Sequence, residues 1–153
     1  MNIPWMYLNK QGGAVNALKD YNSMKAIIAN TPADVVEAQN RMVGVGAVSI
    51  SDMPKGSPNL HAGEDRIMRG MEQMDAIVDR YKQAKEYMAW FEPAWNSLTA
   101  DERGLLEIFY ITGGDNRAET VEKICETYRV ERTSAYTLKG RAISHLALLL
   151  YGR

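Results

Sequence analysis

The residues with the most chemistry to offer sit together near the C-terminal end of the chain: Arg129, Arg132, Thr133, Tyr136, Thr137, Lys139 and Arg141. Guanidinium and ammonium groups grip phosphate, arginine pairs with the edge of guanine, and hydroxyls bond to phosphate or base edges. The stretch from Glu131 to Leu146 that carries most of them has Ala135, Leu138, Ala142 and Leu146 at steps of three and four. Those four fall on one face of a helix and make a stripe to be buried. Hydroxyls, a tyrosine and cations fill the other face. An apolar back with a hydrogen-bonding, cationic front is what a helix needs to lie in a major groove.

No other set of residues offers competing chemistry. The histidines His61 and His145 and the single cysteine Cys125 are too widely separated for a zinc site or a Cys-His pair. Glu64-Asp65 and Asp101-Glu102 fall at expected helix starts, where capping and the helix dipole account for acids without catalysis. Met53-Pro54-Lys55-Gly56-Ser57 lacks the glycine spacing and the Lys-Ser pair opening a helix that a phosphate loop requires. The expectation is a binding protein, not an enzyme, with no cofactor and no metal.

Charge is segregated along the chain. The formal net charge of the 153 residues is only −1, with 24% charged and 46% hydrophobic residues, a globular balance and not a polybasic one. Between Thr99 and Thr127, however, seven acids face Arg103, Arg117 and Lys123, whereas from Tyr128 onward only Glu131 opposes Arg129, Arg132, Lys139, Arg141 and Arg153. The sign reverses where the last helix begins, so a near-neutral total is compatible with an anionic partner. One cysteine allows no internal disulfide, and Met1-Asn2-Ile3-Pro4-Trp5 does not read as a signal peptide. The longest apolar run, Leu146 to Tyr151, is too short to cross a bilayer. These features suggest a cytoplasmic protein without a membrane partner.

The elements that must position the C-terminal residues are all helical in pattern. Residues 1–13, with Pro4 and Gly12-Gly13, read as an arm. A helix is expected from about Val15 to Ala29, and Thr31-Pro32 reads as an N-cap with proline at the first position of a second helix through about Met42. Residues 44–63 hold four glycines and two prolines and read as irregular. The longest helix is expected over about 64–92. Its Ile67, Met71, Met74, Val78, Tyr81, Lys85 and Met88 alternate steps of four and three, a heptad seam widened by Met68, Ile77 and Ala84. That seam needs a partner, either the N-terminal helices or the same helix of a second copy, and the methionines read as adaptable core. Pro93 is expected to end or kink this helix, near Trp90, Phe91 and Trp95.

Beyond Leu98, Thr99-Ala100-Asp101-Glu102 is a capping box opening a helix with Leu105, Leu106, Ile108 and Phe109 that stops near Gly113-Gly114. A second helix is expected from about Arg117 to Tyr128 with Val121, Ile124, Cys125 and Tyr128 inward. A short turn at Arg129-Val130-Glu131 then leads into the basic helix, which completes a helix-turn-helix pattern. The fold expected is all-α, with an oligomerisation or partner-binding region over 1–97 and a DNA-binding domain over 98–153.

The residues Leu98 to Arg103, Ile108-Phe109-Tyr110, Ile124-Cys125, Val130, Ser134-Ala135-Tyr136, Lys139, Arg141-Ala142-Ile143 and Leu146 resemble region 4 of bacterial sigma factors. The version they are most similar to is that of phage and prophage transcriptional regulators of the ArpU and RinA type. The resemblance covers the segment from Leu98 onward; the Met53-Pro54-Lys55-Gly56 loop before a long helix is a weaker point of similarity. Cys125 stands where that pattern has alanine, Arg129 where glycine is common in the turn, and Glu131 where serine or threonine caps the last helix. The link from Ile111 to Ala118 is also longer than a minimal helix-turn-helix connection. The resemblance implies that Arg132, Thr133, Tyr136 and Thr137 reach base edges while Arg129, Lys139 and Arg141 meet phosphates. It implies a transcriptional regulator bound to double-stranded DNA, with a homodimer favoured and RNA polymerase as a further candidate partner. The alternatives are the DNA-recognition subunit of a phage packaging terminase and a sigma-like adaptor that binds a protein.

Overall fold

The structure is a computed structural model that describes residues 9–43 and 61–152. Among these residues the chain is all-α: α1 (Lys10–Val43), α2 (Ala62–Ser97), α3 (Ala100–Leu106) running into a π-helical segment (Glu107–Ile111), α4 (Arg117–Tyr128) and α5 (Arg132–Tyr151). None of the described helices is long and apolar enough to cross a membrane. The first eight residues and most of the stretch expected to be irregular lie outside the described residues.

Three expected helix boundaries are replaced by continuous helix. Lys10 already begins α1, and Gly12-Gly13 belong to that helix instead of an arm; Asn9 caps it, its side-chain oxygen accepting from Gly12 N–H at 3.0 Å. Thr31 does not cap a second helix. Its hydroxyl donates to the Ile27 carbonyl one turn back at 2.6 Å, and Pro32 lies inside α1. The half-buried and buried residues Ile27, Ile28, Thr31, Val35, Ala38 and Met42 form one helical stripe through the proline. Burial of that stripe outweighs the local stop signal, as tertiary packing commonly overrides propensity. Pro93 is likewise inside α2, which ends only at Ser97.

The chain divides into two compact units, and the division does not fall at the expected 97/98 boundary. One unit joins the segment up to Lys25 to everything from Glu86 onward; the other holds Ala26 to Lys85. The first unit has one core, with Ala14, Ala17 and Leu18 from α1, Phe91 and Ala94 from α2, Leu98 just after it, Leu105 and Leu106 from α3, Ile124 from α4, and Ala135, Ala142, Ile143, Leu146, Ala147 and Leu150 from α5. Phe91 is its hub: Tyr87, Tyr21 and Trp95 lie with ring centroids 5.3, 5.5 and 5.8 Å from it. The Tyr87 hydroxyl donates to the Ala17 carbonyl, and burial pushes that phenol's pKa up. Gln11 Nε2 donates to Ser144 Oγ at 2.9 Å and Lys10 Nζ to the Gly152 carbonyl at 3.3 Å, so α1 is also tied along α5. Gly13 permits this approach, since a Cβ there would sit 2.6 Å from the Tyr151 hydroxyl oxygen.

In the second unit the seam of α2 is rotated from the expected one. Gly70 and Ala84 are buried and Met74, Ile77 and Tyr81 half-buried, whereas Ile67, Met68, Met71 and Val78 remain about half or more exposed, at 48, 61, 59 and 52%. Small residues explain the rotation. Gly70 touches Met42 so closely that a Cβ would meet its side chain, and Ala38 and Ala84 let the two helices approach along the same line.

Removing the hub of the first unit tests whether its segments share a core. Phe91→Ala is expected to cost about 3–5 kcal/mol, the usual loss for a fully buried phenylalanine. Denaturant unfolding should show that cost on signals from both α1 and α5, with Phe91→Leu losing less.

Candidate nucleic-acid interface

The capping box that opens α3 forms as the sequence requires. Glu102 N–H donates to Thr99 Oγ1 at 3.2 Å and Thr99 N–H to Glu102 Oε2 at 3.0 Å. The same carboxylate lies 2.9 Å from His145 Nδ1 of α5. Burial acts to raise the Glu102 pKa, but the bonds from Thr99 and the His145 contact outweigh it and hold the carboxyl below its ordinary range. That contribution to stability is present above the unfolded value near 4.5 and is lost as pH falls through the lowered folded one. One residue pair thus closes the start of α3 and fixes the middle of α5.

The π-helical segment follows directly, with Thr112 N–H reaching back to Glu107 O at 2.8 Å. It leaves Ile108, Phe109 and Tyr110 all half-buried. Gly113 ends it where no side chain fits, because a Cβ would lie 2.2 Å from the Ile108 carbonyl oxygen. Asn116 caps α4 by accepting from Ala118 N–H at 3.1 Å, and Val121 and Ile124 are buried with Cys125 and Tyr128 half-buried, as the spacing predicts.

The turn between α4 and α5 keeps the left-handed conformation that glycine usually supplies at a helix end, with Arg129 in its place. Arg129 is left-handed, with φ 52° and ψ 49°, and is the one non-glycine residue at positive φ among those described. Its N–H and that of Val130 both return to the Cys125 carbonyl. Glu131 is extended and gives its carbonyl to Ala135 N–H at 2.9 Å, but its carboxylate makes no cap bond. The first turn of α5 is therefore held by packing and the turn backbone without a side-chain cap.

From that turn α5 presents two rows, and Arg141 continues the second of them, four residues past Thr137. Arg132 and Tyr136 follow one line that continues to Lys139; Thr133 and Thr137 follow a second, with Thr137 Oγ1 donating to the Thr133 carbonyl at 3.1 Å. Arg129, Arg132, Thr133, Tyr136, Thr137 and Arg141 are exposed. Arg141 lies two residues past Lys139 and so projects about 200° away from it. It borders a separate hollow with Asp101, Glu102, Tyr128 and Val130. The seven residues do not form one patch.

Lys139 differs most from the expectation of a free phosphate contact. It is half-buried, with its ammonium 4.8 Å from the ring centre of Phe109, 5.3 Å from that of Tyr110 and 5.8 Å from that of Tyr136. Burial lowers its pKa most, and the nearby charges of Arg117 and Lys19 lower it further. Those two cations are the residues that sequence reasoning missed. Arg117 is visible only as the first residue of α4, and nothing in the local pattern around Lys19 sets it apart. Comparison with protein-family models, with curated proteins and with solved structures found no match.

Relieving the left-handed arginine tests the cost of this turn. Arg129→Gly is expected to stabilise the protein by about 1 kcal/mol, because glycine adopts that conformation without a Cβ penalty. Thermal or denaturant unfolding checks it; a neutral or destabilising result would mean that the Arg129 side chain makes up for its backbone.

Proposed function

We propose that the chain is a DNA-binding transcriptional regulator, in which α4, the turn at 129–131 and α5 act as a helix-turn-helix and the N-terminal half of α5 enters the major groove. The observation that carries this reading is the division of labour along α5. Ala135, Ala142, Ile143, Leu146, Ala147 and Leu150 are buried, while Arg132, Thr133, Tyr136 and Thr137 stand exposed on its first two turns. Those types suit base edges at the place where a recognition helix makes them. Arg129 in the turn and Arg141 on the far flank suit phosphates on either side. The resemblance to sigma region 4 and to phage regulators of the ArpU and RinA type supports the same assignment.

The electrostatic part of this reading has a defined signature. Binding of a random-sequence duplex should weaken steeply with salt, and Arg129→Gln with Arg141→Gln should reduce the slope of log K against log salt by about 1 for each phosphate that is no longer neutralised. An unchanged slope would overturn the docking and favour a sigma-like adaptor that binds protein. Selection of bound fragments from the source genome then separates promoter sites from packaging sites.

A dimeric regulator also needs an interface, and we assign it to the α2 face left open in the second unit. Ile67, Met71 and Val78 are exposed at steps of four and seven, and Asp75 and Lys82 flank Val78 three residues before and four after. Antiparallel pairing of two copies about Val78 sets each Asp75 against a Lys82 of the other, which is the self-complementarity a two-fold interface requires. Mass measurement in solution should give twice the 17.2 kDa chain mass, and Met71→Glu with Val78→Glu should give the monomer. A monomer before substitution, or a higher ring, would exclude this arrangement.

A further inference from the structure

The first unit contains a groove of which the helix-turn-helix reading uses only Tyr136, at its edge. It encloses about 360 Å³ and lies between α1, the π-helical segment and the following loop, the start of α4, and α5. Its walls carry three cations from three different helices, Lys19, Arg117 and Lys139, together with Phe109, Tyr110 and Tyr136. Among the described residues, Asp115 is the one carboxylate that borders it.

Three features make this arrangement more than a solvated cluster of like charges. None of the three cations is in an ion pair among the described residues, so like charges gather at this groove with Asp115 near them but unpaired, and Lys139 is half-buried among them. The Lys139 ammonium is fixed in position by the faces of three rings, at 4.8, 5.3 and 5.8 Å. A cation held in this way loses little further freedom when it meets an anion. The groove volume lies within the range of small-ligand sites, about 300–1,000 Å³, and so admits a phosphate together with the group it esterifies.

We propose that this groove is a phosphate-binding site, with Lys19, Arg117 and Lys139 converging on the phosphate of a mononucleotide-sized phosphoester and Tyr136, 45% exposed, offering a ring face beside it. The site stands whether or not α5 reads DNA. The phosphate can come from a free nucleotide or from a nucleic-acid backbone, and the test separates the two.

Isothermal titration of the full chain at low ionic strength, with AMP, adenosine and inorganic phosphate as probes, tests it. AMP and inorganic phosphate should bind and adenosine should not. Lys19→Met and Arg117→Gln, both at exposed positions, should each weaken AMP at least tenfold, while Lys123→Gln on the exposed side of α4 should leave it unchanged. Circular dichroism and the melting temperature establish that each variant folds. No binding of AMP or phosphate overturns the site, as does an equal loss in Lys123→Gln, which would mark diffuse attraction. AMP displaced by a duplex, with duplex affinity lowered in Lys19→Met, assigns the phosphate to a nucleic-acid backbone. AMP retained at saturating duplex assigns it to a free nucleotide. Either result upholds the site.

Discussion

The burial of Phe91 among Tyr21, Tyr87 and Trp95 is the interaction on which the C-terminal half of the molecule depends. α3 and α4 are short, 7 and 12 residues against the 20 of α5, and they are not the only elements packed on it. Ala14, Ala17 and Leu18 of α1, Phe91 and Ala94 of α2 and Leu98 just beyond it complete the core. The aromatic cluster contributes both large buried area and ring contacts at favourable separations. The chain therefore does not place a self-contained C-terminal domain on an N-terminal spacer. It brings the beginning of α1 back to the end of α2 and closes one core from both.

That closure explains how α5 tolerates poor local chemistry at its start. Its carboxylate cap makes no bond and the preceding turn holds an arginine in a conformation that favours glycine. Each would weaken an isolated helix by an amount on the order of 1 kcal/mol. The buried C-terminal part of α5, joined to α1 through Gln11 and to α3 through the Glu102–His145 contact, supplies the anchoring instead.

The second unit follows a different logic. Gly70, Ala38 and Ala84 draw α1 and α2 together along a line of small residues, and close approach leaves no room to turn the larger Ile67, Met71 and Val78 inward as well. Helix packing of this kind is governed by which ridge fits which groove, not by total hydrophobicity. The result is a closely packed helix pair that leaves Ile67, Met71 and Val78 exposed.

Much of the local structure is legible in the sequence because it depends on neighbours a few residues apart. The capping box at Thr99 and Glu102, the limits of α4, the inward Val121 and Ile124 and the buried back of α5 all follow from spacing and capping chemistry. That Arg129 stands at a turn position where glycine is common is also legible, and the structure holds it in the left-handed conformation glycine favours. Tertiary contact decides the rest. Whether Thr31-Pro32 starts a helix or lies within one depends on a stripe that must stay continuous against α2, and which residues of α2 face α1 depends on the size of Gly70 and Ala84. Lys139 is legible as a cation on the last helix, but its cage of Phe109, Tyr110 and Tyr136 needs a π turn, and its neighbour Lys19 lies at the other end of the chain. The charges of single residues are written in the sequence; which charges meet is set by long-range packing, because only the closed core brings α1 beside α5.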